Sequence, residues 1–146
     1  MKIRNDFVSN SSSSSYLIID DSKQIPLQEL SANYTIGNLG TYEFGWGPEF
    51  IHDRHSKINF AWIQAHADLD IYMPMLQHIL GIHGVRNLEC VLTTDWDDEQ
   101  EKKWGYIDHQ SSWSSGSNME LFDNVETLER FLFHPKSSIV LDNDNR

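Results

Sequence analysis

The chain reads as an α+β fold: a single domain with a mixed or mainly antiparallel sheet packed against three to four helices. Three observations predict it. A length of 146 residues suits one domain with a sizeable core. An apolar fraction of 39% with 12% aromatics is too rich for a disordered chain. Strand-like and helix-like segments follow one another without the strict alternation that a βαβ fold requires. Within residues 1–146, a Ser-rich N-terminal arm (1–15) and a polar tail (142–146) stand apart from the body.

Residues 2–8 read as a short edge strand or extended arm, and 9–15 as a loop, because serine competes for backbone hydrogen bonds and buries little. Tyr16–Ile19 reads as a strand stopped by Asp20-Asp21-Ser22. Pro26 should open a short helix running through Leu30. Tyr34–Ile36 and Thr41–Phe44 suggest a hairpin around Asn38, and Gly45–Glu49 an ordered turn carrying Trp46. Ser56 is the expected N-cap of a helix over 57–67, with Ile58, Ala61, Trp62 and Ala65 on one face. A second helix is capped by Asp68 or Asp70, with Pro74 in its first turn. Its apolar stripe is Tyr72, Met75, Leu76, Ile79 and Leu80, and Gly81 and Gly84 supply its stop.

Leu88–Thr94 is β-rich, with Leu88, Cys90 and Leu92 on one face. An acidic connection over 95–101 leads to a strand at 104–109, a loop at 110–118 and a short strand at 119–122. Asp123 and Glu126 form a capping-box-like start to a last helix. Val125, Leu128, Phe131 and Leu132 should face the core, Pro135 ends the helix, and Ser138–Leu141 closes the fold as a strand.

Charge narrows the function. Asp and Glu number 22 against 11 Lys and Arg, a net charge of −11. Such a surface repels phosphates and anionic lipid, so the expected partner is a protein, possibly basic, and not nucleic acid or membrane. No apolar run approaches the roughly 20 residues of a membrane span, and no hydrophobic signal core precedes the serines. The expected compartment is the cytoplasm. Cys90 is the single cysteine, which excludes an intramolecular disulfide and a cysteine-based metal cluster; it reads as a small buried hydrophobe.

Seven histidines raise the question of a site. His52 and His55 could share a helical face, and His66, Asp68 and Asp70 lie at alternate positions. A metal site, or a small hydrolase or nucleotide-processing enzyme, would need at least three such groups to converge. The pattern contains no HExxH, GxSxG, P-loop or GxGxxG. The acidic 95–101 segment lacks the glycine and the twelfth-position glutamate of a calcium loop. Asp108 and His109 would point to opposite sides of a strand, so they are not a ready relay. The expectation is therefore no metal, no cofactor and no catalytic residue.

Residues 2–16, ending Phe7-Val8-Ser9-Asn10-Ser11-Ser12-Ser13-Ser14-Ser15-Tyr16, resemble the opening K-x-R-x-x-F-V-S/T-N-S-S-S-S-S-F/Y shared by a family of phage and bacterial proteins. Gly105–Ser111 and Phe122–Asn145 are similar to segments of such phage-associated families. The resemblance brings no catalytic residues. It implies a common use of the N-terminus: a peptide read by a shared partner, or an edge strand whose small side chains admit another chain. The candidate binding residues are Phe7, Val8, Asn10 and Tyr16, with Trp46, Asp108 and His109 elsewhere. The function expected is that of a phage-type, non-enzymatic accessory protein that binds a host or virion protein in the host cytoplasm. A small His/carboxylate enzyme and a structural virion component are the alternatives.

Overall fold

A computed structural model describes residues 2–6, 16–20, 25, 29–44, 49–93, 103–107 and 121–141, with backbone alone at 2–6 and 16. Its first sheet has four strands in the order β1 (Lys2–Asp6), β2 (Tyr16–Asp20), β10 (Ser138–Leu141), β5 (Glu49–Ile51), all antiparallel. The apolar runs of β2 and β10 explain the pairing. Leu17 and Ile51 both lie opposite Ile139, and all three are buried, so one row of side chains crosses three strands on the core face. β1 joins as an edge strand, Lys2 opposite Asp20 and Asp6 opposite Tyr16. Residues 7–15, the serines included, lie outside the described residues.

The other six described strands pair in parallel. β3 (Asn33–Ile36) pairs with β6 (Asn87–Cys90), β7 (Leu92–Thr93) with β8 (Lys103–Trp104), and β4 (Glu43–Phe44) with β9 (Tyr106–Ile107). Only Val91 separates β6 from β7, and only Gly105 separates β8 from β9. Backbone bonds carry the ladder across these breaks: Val91 N donates to Ile36 O (3.0 Å), Lys103 N to Val91 O (2.8 Å) and Tyr106 N to Tyr42 O (2.8 Å). The pairs thus form one parallel surface in the order β3, β6/β7, β8/β9, β4, and the domain is a mixed α+β fold. The hairpin expected around Asn38 does not form. Its two halves sit at opposite edges of this surface, because each finds a longer-range parallel partner.

Against the parallel strands packs α1 (Arg54–Ala65). It touches α2 (Tyr72–Ile82) and α3 (Val125–Phe133) as well as β3 and β9. Phe60 is its centre: it meets Phe44 of β4 edge-on at 5.2 Å and Phe131 of α3 at 6.0 Å. Truncating such a residue to alanine costs about 3–5 kcal/mol. A Cβ on Gly105 would stand 2.9 Å from the Ile63 side chain, so α1 lies directly on the parallel strands there. Burial on several sides explains why α1 hides Ser56, Lys57, Asn59 and Gln64 along with its apolar residues.

Local details differ from the sequence reading in instructive ways. Asp53, not Ser56, caps α1; its Oδ2 accepts from Ser56 N (3.0 Å) and from Ser56 Oγ (2.8 Å), which starts the helix at Arg54. Asp68 Oδ1 accepts from Asp70 N and Ile71 N, closing the turn that precedes α2, while Ile71 holds the N-cap position without a side-chain bond. Gly81 lies within α2, and Gly84, at φ +106°, supplies the stop. Asn124 displaces Asp123 as the cap of α3, accepting from Thr127 N at 2.7 Å, and Glu126 instead pairs with Arg130. Val125, at the first position of α3, is 40% exposed rather than core. Glu29 and Leu30 are not helical, and Leu121 and Phe122 form a tight turn instead of a strand. Cys90 is half-buried, in contact through its sulfur with the backbone of Leu92.

Candidate functional site

A cleft of about 320 Å³ opens where β3 meets the first turn of α1. One wall is Glu29, Leu30 and Ser31, and the floor is Asn33, Tyr34 and Thr35 of β3. The far rim is Asn38 and Leu39, and Arg54 and His55 close the remaining side. Each wall is pinned from behind. Leu30 N donates to His83 O (2.8 Å), and β3 is paired along its length with β6. The rim is held by Asn59, a buried residue of α1. Its Oδ1 accepts from Gly37 N (2.9 Å), and its Nδ2 donates to Leu39 O and Thr41 O (both 2.9 Å). Ser56 adds a fourth bond by accepting from Thr41 N at 2.8 Å.

The rim also explains two glycines. Gly37 and Gly40 take φ +91° and +78°, a backbone region that L side chains rarely enter. A Cβ on Gly40 would lie 2.6 Å from Ser56 N, so the loop can approach α1 only without one.

In the cleft, Tyr34 Oη lies 2.8 Å from His55 Nδ1, and the two rings stack at 15° with centroids 5.8 Å apart. Burial pushes the Tyr34 phenol up to about 12. Burial first, and the nearby Arg54 charge second, hold His55 below its ordinary value. His55 is therefore neutral at pH 7. In the tautomer that accepts the Tyr34 O–H at Nδ1, Nε2 carries the proton and is a donor. The site offers a guanidinium, an imidazole N–H and amides as donors, with the Glu29 carboxylate as a strong acceptor.

A second polar cluster lies deep between α1, α3 and β10. Lys57, 1% exposed, donates from Nζ to His134 O (2.9 Å) and Ser137 O (3.0 Å). Ser137 Oγ accepts from Asp20 N and donates to Arg130 O, and His134 Nε2 lies 3.6 Å from Asp20 Oδ1. His83 Nε2 lies 2.8 Å from Glu129 Oε2, its ring stacked on Phe133. These bonds tie β2 and α1 to the connection between α3 and β10, and the end of α2 to α3.

Of the histidines and carboxylates considered from sequence that lie among the described residues, His55 alone lines the cleft. His52 precedes α1 and is exposed beside the Phe50 ring, so it shares no helical face with His55. His66 Nδ1 is 2.9 Å from Trp62 O, Asp68 caps a turn, and Asp70 is exposed. Among the described residues, no group of three or more His, Cys, Asp and Glu is placed to hold a metal ion. Phe7, Val8, Asn10, Trp46, Asp108 and His109 lie outside the described residues, and so does the acidic segment 95–101. Tyr16 pairs through its backbone with Asp6 and Val140.

Sequence reasoning missed Tyr34, Arg54 and Glu29. Tyr34 looked like a hairpin residue, and only pairing with β6 turns β3 into a cleft floor. One signal was present: Asp53 before Arg54-His55 is a helix cap followed by two donors. Comparisons with models of protein families, with curated proteins and with solved structures find no match.

Proposed function

We propose that this chain is a phage-type accessory protein that acts by binding, and that its partner is a basic surface of a host or virion protein. The observation that carries the reading is the distribution of charge. Among the described residues, Glu29, Glu43, Glu49, Asp53, Asp70, Glu89, Asp123 and Glu126 are exposed. Among the residues whose side chains are described, the exposed cations are Arg86, Lys103 and Lys136. Lys57 and Asp20 are both buried, so their charges cancel and the net −11 is carried by the rest of the chain. A field of this sign attracts a basic protein over distances of about a Debye length, ~8–10 Å, and repels phosphate backbones and anionic lipid. The N-terminal resemblance to phage and bacterial proteins points to the setting, a host cytoplasm. No helix among the described residues is long and apolar enough to cross a membrane.

The test is affinity capture from host lysate at low and moderate salt, beside a variant carrying Glu43→Lys and Glu89→Lys. The expected result is a basic protein retained at low salt, weakened at moderate salt and lost with the variant. No specific protein at either salt, or one that binds the variant equally well, overturns the reading.

A further inference from the structure

We infer that the outward face of α2 is a contact between two copies of this chain, packed antiparallel about a two-fold axis near His78. Nothing in this contact depends on the acidic exterior that would meet a basic partner. Three features of α2 carry it.

The first is the face itself. Leu76, Ile79 and Leu80 are buried, on the side of α2 that meets α1 and α3. Ile71, Pro74, His78 and Ile82 follow one another at spacings of three and four residues, which makes a second stripe on the other side. All four are exposed, Ile71 and Ile82 at 58% each. Leu69, equally exposed, stands just before the stripe. The outer side of a solvated helix is ordinarily polar, so a mainly apolar stripe with this spacing is the kind of surface that a second helix covers.

The second is the absence of acid and base along the helix. Charged residues make up 23% of the chain, yet α2 contains no Asp, Glu, Lys or Arg. The similarly short α3 carries Glu126, Glu129 and Arg130. A basic partner is drawn to carboxylates, and a helix that lies on anionic lipid is flanked by lysines and arginines; α2 offers neither. In a chain at −11, a second copy comes close most easily where neither copy presents acid. A two-fold contact sets one patch against its own image, and this patch has no carboxylate to oppose itself.

The third is what stands at the two ends. Exposed Asp70 precedes the stripe and exposed Arg86 follows it. Arg86 Nη1 donates to Gly81 O (3.2 Å) and Val85 O (3.4 Å), which holds the guanidinium at the C-terminal end of α2 on carbonyls and not on a carboxylate. His78 lies midway in sequence between Asp70 and Arg86. An antiparallel pair of α2 helices centred there brings the acidic end of each copy beside the basic end of the other, and sets the two helix dipoles in opposition. A parallel pair would set Asp70 against Asp70 and Arg86 against Arg86.

A single-helix contact falls below the roughly 1,200–2,000 Å² of a standard interface, so the association is of the weak class. Sedimentation velocity on the full chain, from about 10 to 500 µM, measures it. The expected result is a mass rising from 17.0 kDa towards twice that value and no further, since a two-fold contact is closed. Ile82→Glu changes an exposed side chain and should weaken association about tenfold or more. Asp70→Arg and Arg86→Asp should each weaken it as well, because each sets like charges at both ends of the pair. Mixed in equal amounts, these two variants should associate about fivefold more tightly than either does alone, because every acid again meets a base. Recovery in the mixture is a result that misfolding of Arg86→Asp could not produce. A monomer throughout the range overturns the proposal, and so does growth beyond the dimer. Association that Ile82→Glu leaves unchanged, or a mixture that associates no better than its components, overturns it too.

Discussion

The hydroxyl of Tyr34 and Nδ1 of His55, 2.8 Å apart, join the second position of a parallel strand to the first turn of the buried helix. The pair fixes the orientation of the imidazole at the mouth of the cleft. Its protonation has a defined sign. The folded pKa of His55 is depressed, so folding favours the neutral ring. The stabilisation is complete above the unfolded value of about 6.5 and is lost as pH falls below it. An NMR titration should place the His55 midpoint below 6.5. Arg54→Gln should raise that midpoint, because the guanidinium is the second cause of the depression.

Lys57 makes a second pH prediction at the other end of the scale. Burial lowers its pKa from 10.5 to about 8. Below pH 8 the lysine is charged in both folded and unfolded chains, and it adds no slope. Between about 8 and 10.5 the unfolded chain binds the extra proton, so this group makes stability rise with pH, by up to about 3 kcal/mol. Lys57→Met keeps the length of the side chain and removes the charge. It should abolish that rise, and cost about 1–3 kcal/mol at pH 7 by leaving the His134 and Ser137 carbonyls without this donor. Urea denaturation at pH 7, 8 and 10 measures both effects.

Asn59 clamps the rim through three bonds. Asn59→Leu fills similar space and satisfies none of them. Each orphaned group costs about 1–3 kcal/mol, so a loss of at least ~3 kcal/mol is expected in chemical denaturation. Faster amide exchange at Gly37, whose N–H then has no acceptor in Asn59, would localise the damage to the rim. Asn59→Asp should do little better, since a carboxylate would face the Leu39 and Thr41 carbonyls.

Gly40→Ala should cost about 2 kcal/mol or more, from a left-handed φ and a clash with backbone that cannot move aside. Gly81→Ala is the control. Its Cβ meets nothing within 4 Å, and alanine favours the helix it would join, so the variant should be stabilised by roughly 0.5–1 kcal/mol. Thermal denaturation of the two variants side by side checks the contrast.

The sequence by itself determined the elements whose signals are local. α2 shows its Leu76, Ile79 and Leu80 stripe, with Pro74 in the first turn, where a missing N–H costs little. β2 and β10 show short apolar runs, Leu17-Ile18-Ile19 and Ile139-Val140-Leu141, and the α+β class follows from the order of such segments. Spacing along the chain is enough for these, because neighbours in sequence decide helix and strand periods. Which of two adjacent polar residues caps a helix was less legible, since Asp53 against Ser56 and Asn124 against Asp123 differ only in how the backbone enters the first turn.

Only the tertiary structure decided that β3 pairs with β6 and β4 with β9 instead of with each other. It alone decided that α1 is buried along most of its length, and that Lys57 and Asn59 turn inward to satisfy carbonyls more than ten residues away in the chain. The physical reason is common to all of these. A polar side chain is read as surface until the partner that satisfies it is known, and that partner comes from a distant segment. The cleft is a product of the same long-range pairing: Glu29, Tyr34, Arg54 and His55 belong to one site because β6 fixes β3 and Asn59 fixes the rim.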